Sequence, residues 1–235
     1  DFRIPYDTAS DRWDTESEGY AAMMEDLDVV AAELSRLRDA GVPVLWRPLH
    51  EASGNVGRFP GGEAWFWWGA GTAADSSAEG CAKAFIALWK LIYTYFTDEK
   101  DLHNLIWVWN AQNGHWYPGD AYVDVIAADI YGPAQNYEAH AASYADCVSW
   151  ADRAGSKPVA LSETGCIPSP EDVGAKGAWW SWFMVWNDGD SDGHGVTRSD
   201  SASNFWSGEY YNGAAHKKAV YDSPLVITLD ELALP

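Results

Sequence analysis

Val42-Pro43-Val44-Leu45-Trp46-Arg47-Pro48-Leu49-His50-Glu51 sets the architecture of this chain. A short apolar run gives way to a polar cluster, then to Ala52-Ser53-Gly54 and the aromatic stretch Trp65-Phe66-Trp67-Trp68-Gly69. An apolar run of this length reads as a buried strand, with Pro43 near its start. Upstream, residues 20–39 repeat apolar positions at helical spacing, with Leu27, Val30, Leu34 and Leu37 on one face and Gly41 as a stop. Downstream, residues 78–97 carry the same period in Ala82, Phe85, Leu88, Trp89 and Ile92. Strands are then expected at Asn104 to Trp109, Val123 to Ile130 and Pro158 to Ser162, with a helix over 138–154. A further aromatic segment, Ala178 to Trp186, follows, and the tail closes with Tyr221 to Leu229.

Buried strands alternating with helices indicate parallel α/β architecture. Each strand leads to a polar residue: Glu51, Asn110, Asp129, Glu163 and Asn187. Polar groups gathered at strand C-termini mark the active face of a (β/α)8 TIM barrel. An open doubly wound sheet also binds ligands there, but no Gly-rich phosphate loop follows the first strand. A barrel needs eight strands and only five are legible, because residues 1–19 (Arg3, Pro5, Asp7, Asp11, Arg12, Asp14) read as a loop. The expectation is one catalytic domain over 1–235, with the first two to three βα units absent from this chain. Lost units would leave an exposed sheet edge, poor stability and little activity.

Composition narrows the partners. With 15 basic and 35 acidic residues, the formal charge of −20 disfavours nucleic acid and anionic membranes, whereas a neutral polymer is not repelled. No membrane-spanning run and no signal peptide are visible, so an address outside the cell (extracellular, periplasmic or cell-surface) is inferred only from the substrate class below. Three cysteines, Cys81, Cys147 and Cys166, have no zinc spacing and do not form a disulfide scaffold. Cys166 reads as a small buried hydrophobe. Asp188 to Asp192, acidic and Gly-rich, reads as a solvated loop in preference to a calcium site. No cofactor or metal is expected.

Fifteen tryptophans are several times what a chain of this size usually carries, and about half of them read as core. Several sit beside Gly, Pro, Asn and Asp, where an indole can present a flat apolar plate to a sugar ring. Two glutamates, Glu51 and Glu163, close strands, and carboxylate pairs are what glycoside hydrolysis uses. Retaining enzymes hold the two carboxyls about 5–5.5 Å apart, and inverting ones about 6.5–9.5 Å. Opposite sides of a narrow barrel mouth suit the shorter distance. The alternative for a lone strand-end glutamate is an ion pair, which Arg47 could provide for Glu51. No HExxH spacing accompanies His50, which is better suited to hydrogen bonding with sugar or carboxylate. Asp129-Ile130-Tyr131 puts an acid and a phenol at period two on one side of a strand end, where Tyr131 could donate to a nucleophile. A core tyrosine is the alternative.

With these motifs in view, the chain resembles glycoside hydrolase family 26, best known for endo-β-1,4-mannanases. Arg47-Pro48-Leu49-His50-Glu51, Trp65-Phe66-Trp67-Trp68-Gly69, Asn104-Leu105-Ile106-Trp107-Val108-Trp109, Asp129-Ile130-Tyr131-Gly132, Ser162-Glu163-Thr164-Gly165 and Val226-Ile227-Thr228-Leu229-Asp230-Glu231-Leu232 carry the resemblance. It covers nearly the whole chain, as the C-terminal five-eighths of that barrel. It implies a retaining double displacement on mannan, glucomannan or galactomannan, with Glu51 as acid/base and Glu163 as nucleophile. It also implies a substrate-binding set of Arg47, His50, Trp65, Trp68, Asp129, Tyr131 and Trp186, with Trp116 and Tyr117 further along the cleft. Asn55 to Ala64 is an insertion relative to the shorter family pattern, placed to reshape one cleft wall. Rival readings are a β-1,3-xylanase or mixed-linkage β-glucanase of the same family, or a carbohydrate-binding fragment without catalysis. A pure binder has no need of two strand-end carboxylates.

Overall fold

The structure is a computed structural model and describes residues 2–187 and 202–232. The acidic stretch 188–192 lies outside these described residues. Two compact units divide the chain: Asp1–Ile126 with Trp150–Lys157, and Ala127–Ser149 with Pro158–Pro235.

In the first unit a short hairpin pairs β1 (Tyr6–Asp7) with β2 (Arg12–Trp13), so part of the expected N-terminal loop is antiparallel sheet. Local geometry accounts for the hairpin. Asp7 accepts hydrogen bonds from the N–H groups of Ala9 and Ser10, and Asp11 takes φ +59°, which together turn the chain within four residues. Helix α1 (Glu18–Asp39) starts at Ser17, whose hydroxyl accepts the Tyr20 N–H, and Arg36 and Arg38 offset the dipole at its end. Its buried residues are Met23, Ala31 and Leu34, while Leu37 is exposed. The inner stripe therefore lies slightly to one side of the predicted face.

Strand β3 (Val44–Trp46) pairs in parallel with β4 (Leu105–Trp109), Leu45 opposite Ile106. Here the buried-strand expectation fails: Leu45 is 55% exposed and Ile106, opposite it on β4, is exposed too, so this face of the sheet is uncovered at both strands. Pro43 is compatible with the place of β3 at the end of the sheet. Helix α2 (Ala78–Thr94) is capped by Ser77, and its Phe85, Leu88, Trp89 and Ile92 are buried in one apolar stripe. Gly80 lets the Asp75 carboxyl approach closely, since a Cβ would fall 2.2 Å from its carboxyl carbon.

Strand β5 (Val125–Ile130) begins against β4, Val108 opposite Val125. In the second unit α3 (Ala141–Trp150) is shorter than the predicted 138–154. Strand β6 (Val159–Thr164) is buried at every residue, α4 (Pro170–Lys176) runs from Ser169 to Gly177, and β7 (Phe183–Val185) pairs in parallel with β6. Pro at the start and a left-handed Gly at the end delimit α4. Helix α5 (Ala214–Tyr221) precedes a 3-10 turn at Leu229–Glu231, which a Thr228/Glu231 capping box closes. The sheet order β3-β4-β5-β6-β7 follows the chain. This is the α/β succession expected, as a parallel half-barrel of five strands.

Candidate active site

In the first unit, β3 stops at Trp46 and Glu51 lies beyond it, so the glutamate belongs to a turn and not to the strand itself. Leu49 and Glu51 both adopt left-handed backbone, φ +55° and +50°. Such conformations cost non-Gly residues energy and persist where surroundings impose them. Here Glu51 N–H donates to Asn110 O at 3.1 Å and Ser53 N–H to Ala111 O at 3.2 Å, pinning the turn to the chain leaving β4. Gly69 packs so tightly on this turn that a Cβ would meet Ala52 O at 1.8 Å. The Trp68 indole N–H donates to His50 O at 2.9 Å. Phe66 and Trp68 stack at 4.5 Å, and the His50 ring lies 4.8 Å from Phe66 and 5.7 Å from Trp68. Arg47, His50, Glu51, Phe66 and Trp68 are thus half-buried on one loop system, with Trp65 more exposed.

Trp116 does not join them. It is 2% exposed, in a 3-10 turn (Gly114–Trp116), with its ring 5.5 Å from Phe85 of α2. An indole packed into the core has no free face for a sugar, so its expected place along the cleft is corrected. Tyr117 is likewise committed: its hydroxyl donates to Asp120 and its ring meets Trp109 edge-on.

The second unit carries the other glutamate. Glu163 lies inside β6, not past it, and is 4% exposed. The Tyr131 hydroxyl donates to its Oε2 at 2.7 Å. Ser162 donates to Asp129 Oδ1 at 2.5 Å and to Ala128 O. Asp129 and Tyr131 therefore take neighbouring partners on β6, with Tyr131 just past Ile130, where β5 ends. Trp186 follows β7, its N–H bonded to Thr164 O at 3.0 Å and its ring partly exposed.

A segment that sequence reasoning missed supports this glutamate. Phe205 lies against Gly165, where a Cβ would be 2.7 Å from its ring, and 5.7 Å from the Tyr131 ring. Fully buried Asn212 donates to Gly165 O and Phe205 O and accepts from Ile167 N–H. Asn204, also buried, accepts from Trp206 and Ser207 N–H and donates to Asn187 O. Buried amides with all their bonds made fix loops in one conformation. No periodicity marks this segment; its one sequence signal is asparagine beside aromatic residues.

All three cysteines are buried and free, and burial pushes the Cys147 thiol up to about 12 and raises Cys81 and Cys166. Raised thiols are poor nucleophiles. Among the described residues no cluster of three or more His, Cys, Asp or Glu is placed to hold a metal ion. Nor is any described helix long and apolar enough to cross a membrane.

A buried carboxylate fixed by a phenol, and a second in a strained aromatic turn, suit acid/base and nucleophilic work at an acetal. Comparison with known proteins places the chain in a family. Residues 5–231 match glycosyl hydrolase family 26. A mannan endo-1,4-β-mannosidase from Thermothelomyces thermophilus is 35% identical over 227 residues, covering 97% of this chain and 39% of that protein. A ruminal GH26 endo-β-1,4-mannanase superposes with TM-score 0.76 at 30% identity, over 94% of this chain and 43% of its own. A β-mannanase from a symbiotic protist of the termite Reticulitermes speratus, complexed with gluco-manno-oligosaccharide, has TM-score 0.69 at 38% identity, over 92% and 56%. The chain spans about two-fifths of the curated relative's length. On this agreement of motifs, fold and similarity, the chain belongs to glycosyl hydrolase family 26.

Proposed function

We propose that the chain carries a retaining endo-β-1,4-mannanase site that cleaves internal bonds of mannan, glucomannan or galactomannan by double displacement. One observation carries this reading: a glutamate buried at the C-terminal end of a parallel strand, oriented by the Tyr131 hydroxyl at 2.7 Å. Glu163 attacks the anomeric carbon while Glu51 gives its proton to the leaving glycosidic oxygen. The C–O bond to the leaving sugar breaks as the ester to Glu163 forms. Glu51, now a carboxylate, takes a proton from water, whose oxygen displaces Glu163 and returns both groups to their starting state. Arg47, His50, Trp65, Trp68, Asp129, Tyr131 and Trp186 hold the sugar around this centre, through indole stacking and charge-assisted hydrogen bonds.

The named activity of the relatives, and the gluco-manno-oligosaccharide in one of them, favour mannans over β-1,3-xylan and mixed-linkage glucan. The five parallel strands are read as the last five of an eight-stranded barrel, a reading supported by exposed Leu45 and Ile106 side by side at the β3 edge. A polymer is degraded outside the cell that uses it, which places the protein at the cell surface, in the periplasm or in the medium.

The acid role is tested by Glu51→Ala, assayed on glucomannan and on an aryl mannobioside with a good leaving group. Loss of protonation should slow the polysaccharide by about a hundredfold or more and the activated substrate far less. Equal losses on both substrates would remove Glu51 from that role.

A further inference from the structure

The insertion Asn55 to Ala64 folds into a closed loop with a defined neck. Asn55 N–H donates to Glu63 O at 2.9 Å, Arg58 N–H to Asn55 O at 3.1 Å and Gly62 N–H to Phe59 O at 3.0 Å. Glycines are required where the two sides of the neck meet. A Cβ at Gly62 would fall 2.0 Å from Asn55 O, and one at Gly54, whose φ is +46°, would fall 2.7 Å from Trp65 N. Val56 is buried beneath the loop. This is a constrained, preorganised element, which lowers the entropy lost when a ligand binds against it.

Beside the loop lies a cavity of about 390 Å³, lined by Arg3, Gly62, Glu63, Trp65, Trp67 and Ser76 among others. Its wall joins aromatic plates to polar groups of both charges. Trp65 is 51% exposed and Trp67 is also exposed, whereas Phe66 and Trp68 contact His50. Phe66 and Trp68 thus pack against the histidine beside Glu51, while Phe66 also lines the cavity. Trp67, whose ring meets Phe2 edge-on at 4.7 Å, and Trp65, which the mannanase reading places at the cleavage centre, line the cavity as well and so join the two regions. Arg3 is fixed there by donation to Ala70 O at 2.6 Å. A guanidinium and a carboxylate can each make paired hydrogen bonds to vicinal hydroxyls, while an indole face takes the C–H side of a pyranose. That combination fits a neutral hexose and gives a polyanion no advantage, since Glu63 shares the wall.

We propose that this cavity is an additional sugar subsite, built by the 55–64 loop, that takes a further hexose unit of the polysaccharide cleaved at Glu51. The proposal rests on the mannanase reading and extends it: the loop makes the protein favour longer chains over short ones.

The test is calorimetric binding of mannohexaose and mannobiose in a Glu163→Ala background, which prevents turnover. Two variants are compared with that parent. One excises residues 56–62, joining Asn55 to Glu63, which already face each other across the neck; the other is Glu63→Ala at an exposed side chain. Excision should weaken mannohexaose about tenfold or more and Glu63→Ala by about three- to tenfold, with mannobiose unchanged in both. Unchanged mannohexaose affinity in the Glu63→Ala variant, or equal weakening of both sugars, overturns the subsite while leaving the mannanase reading in place. Failure of the parent to bind mannohexaose at all overturns both.

Discussion

Tyr131 shows how one side chain fixes the carboxylate proposed as the nucleophile. Its phenol donates to Glu163 Oε2, and its own ring leans on Phe205, which in turn packs against Gly165 next to the glutamate's strand. A hydrogen bond to a charged carboxylate is worth about 1.5–3 kcal/mol, and each 1.4 kcal/mol is about a tenfold rate change. Tyr131→Phe keeps the ring and removes the donor. It should lower kcat on glucomannan by about ten- to a hundredfold and lower the melting temperature by only a few degrees, because buried Glu163 loses a donor while phenylalanine still fills the space. Normal turnover in Tyr131→Phe, measured alongside thermal unfolding, would mean that the phenol does not serve the nucleophile.

At the scale of elements, the loop after β6 is tightly built. Gly165 has no room for a methyl group beside Phe205, and Asn212 ties Gly165, Phe205 and Ile167 together with three bonds. Gly165→Ala should cost about 1–3 kcal/mol through overpacking, read as a lower midpoint in urea unfolding, and should reduce turnover because the shift reaches Tyr131 through Phe205. An unchanged midpoint would contradict the packing seen here. Periodicity made α2 and the strands β4, β5 and β6 legible, because their apolar runs face a core on both sides or along a full stripe. It misjudged β3, and Ile106 of β4 with it, because an apolar run does not say whether anything covers the face its side chains project from. It missed the β1–β2 hairpin, whose strands are two residues each and too short to show alternation. Glu163 could be read from its place in Leu161-Ser162-Glu163-Thr164-Gly165. Phe205 and Asn212 could not, since their roles depend on contacts far along the chain. Trp116 was misread because a tryptophan beside Gly and Asn looks the same in sequence whether it faces a ligand or the core.

For the whole molecule, a formal charge of −20, an abundance of indoles and two glutamates, one in the turn after β3 and one within β6, are consistent with the proposed action on a neutral polymer. Substrate choice is then a matter of subsites. The strained turn at Leu49–Glu51, the stacked Phe66 and Trp68, and the loop 55–64 all stand around one carboxylate, while Tyr131, Phe205 and Asn212 support the other. The central claim is that Glu163 is the nucleophile of a mannan-cleaving reaction. The most direct measurement is reducing-sugar release from glucomannan, galactomannan, β-1,3-xylan and barley β-glucan, with Glu163→Ala as the control. The account predicts release from the two mannans that disappears in the control. Release that persists in Glu163→Ala, or that occurs from β-1,3-xylan or β-glucan and not from the mannans, would contradict it.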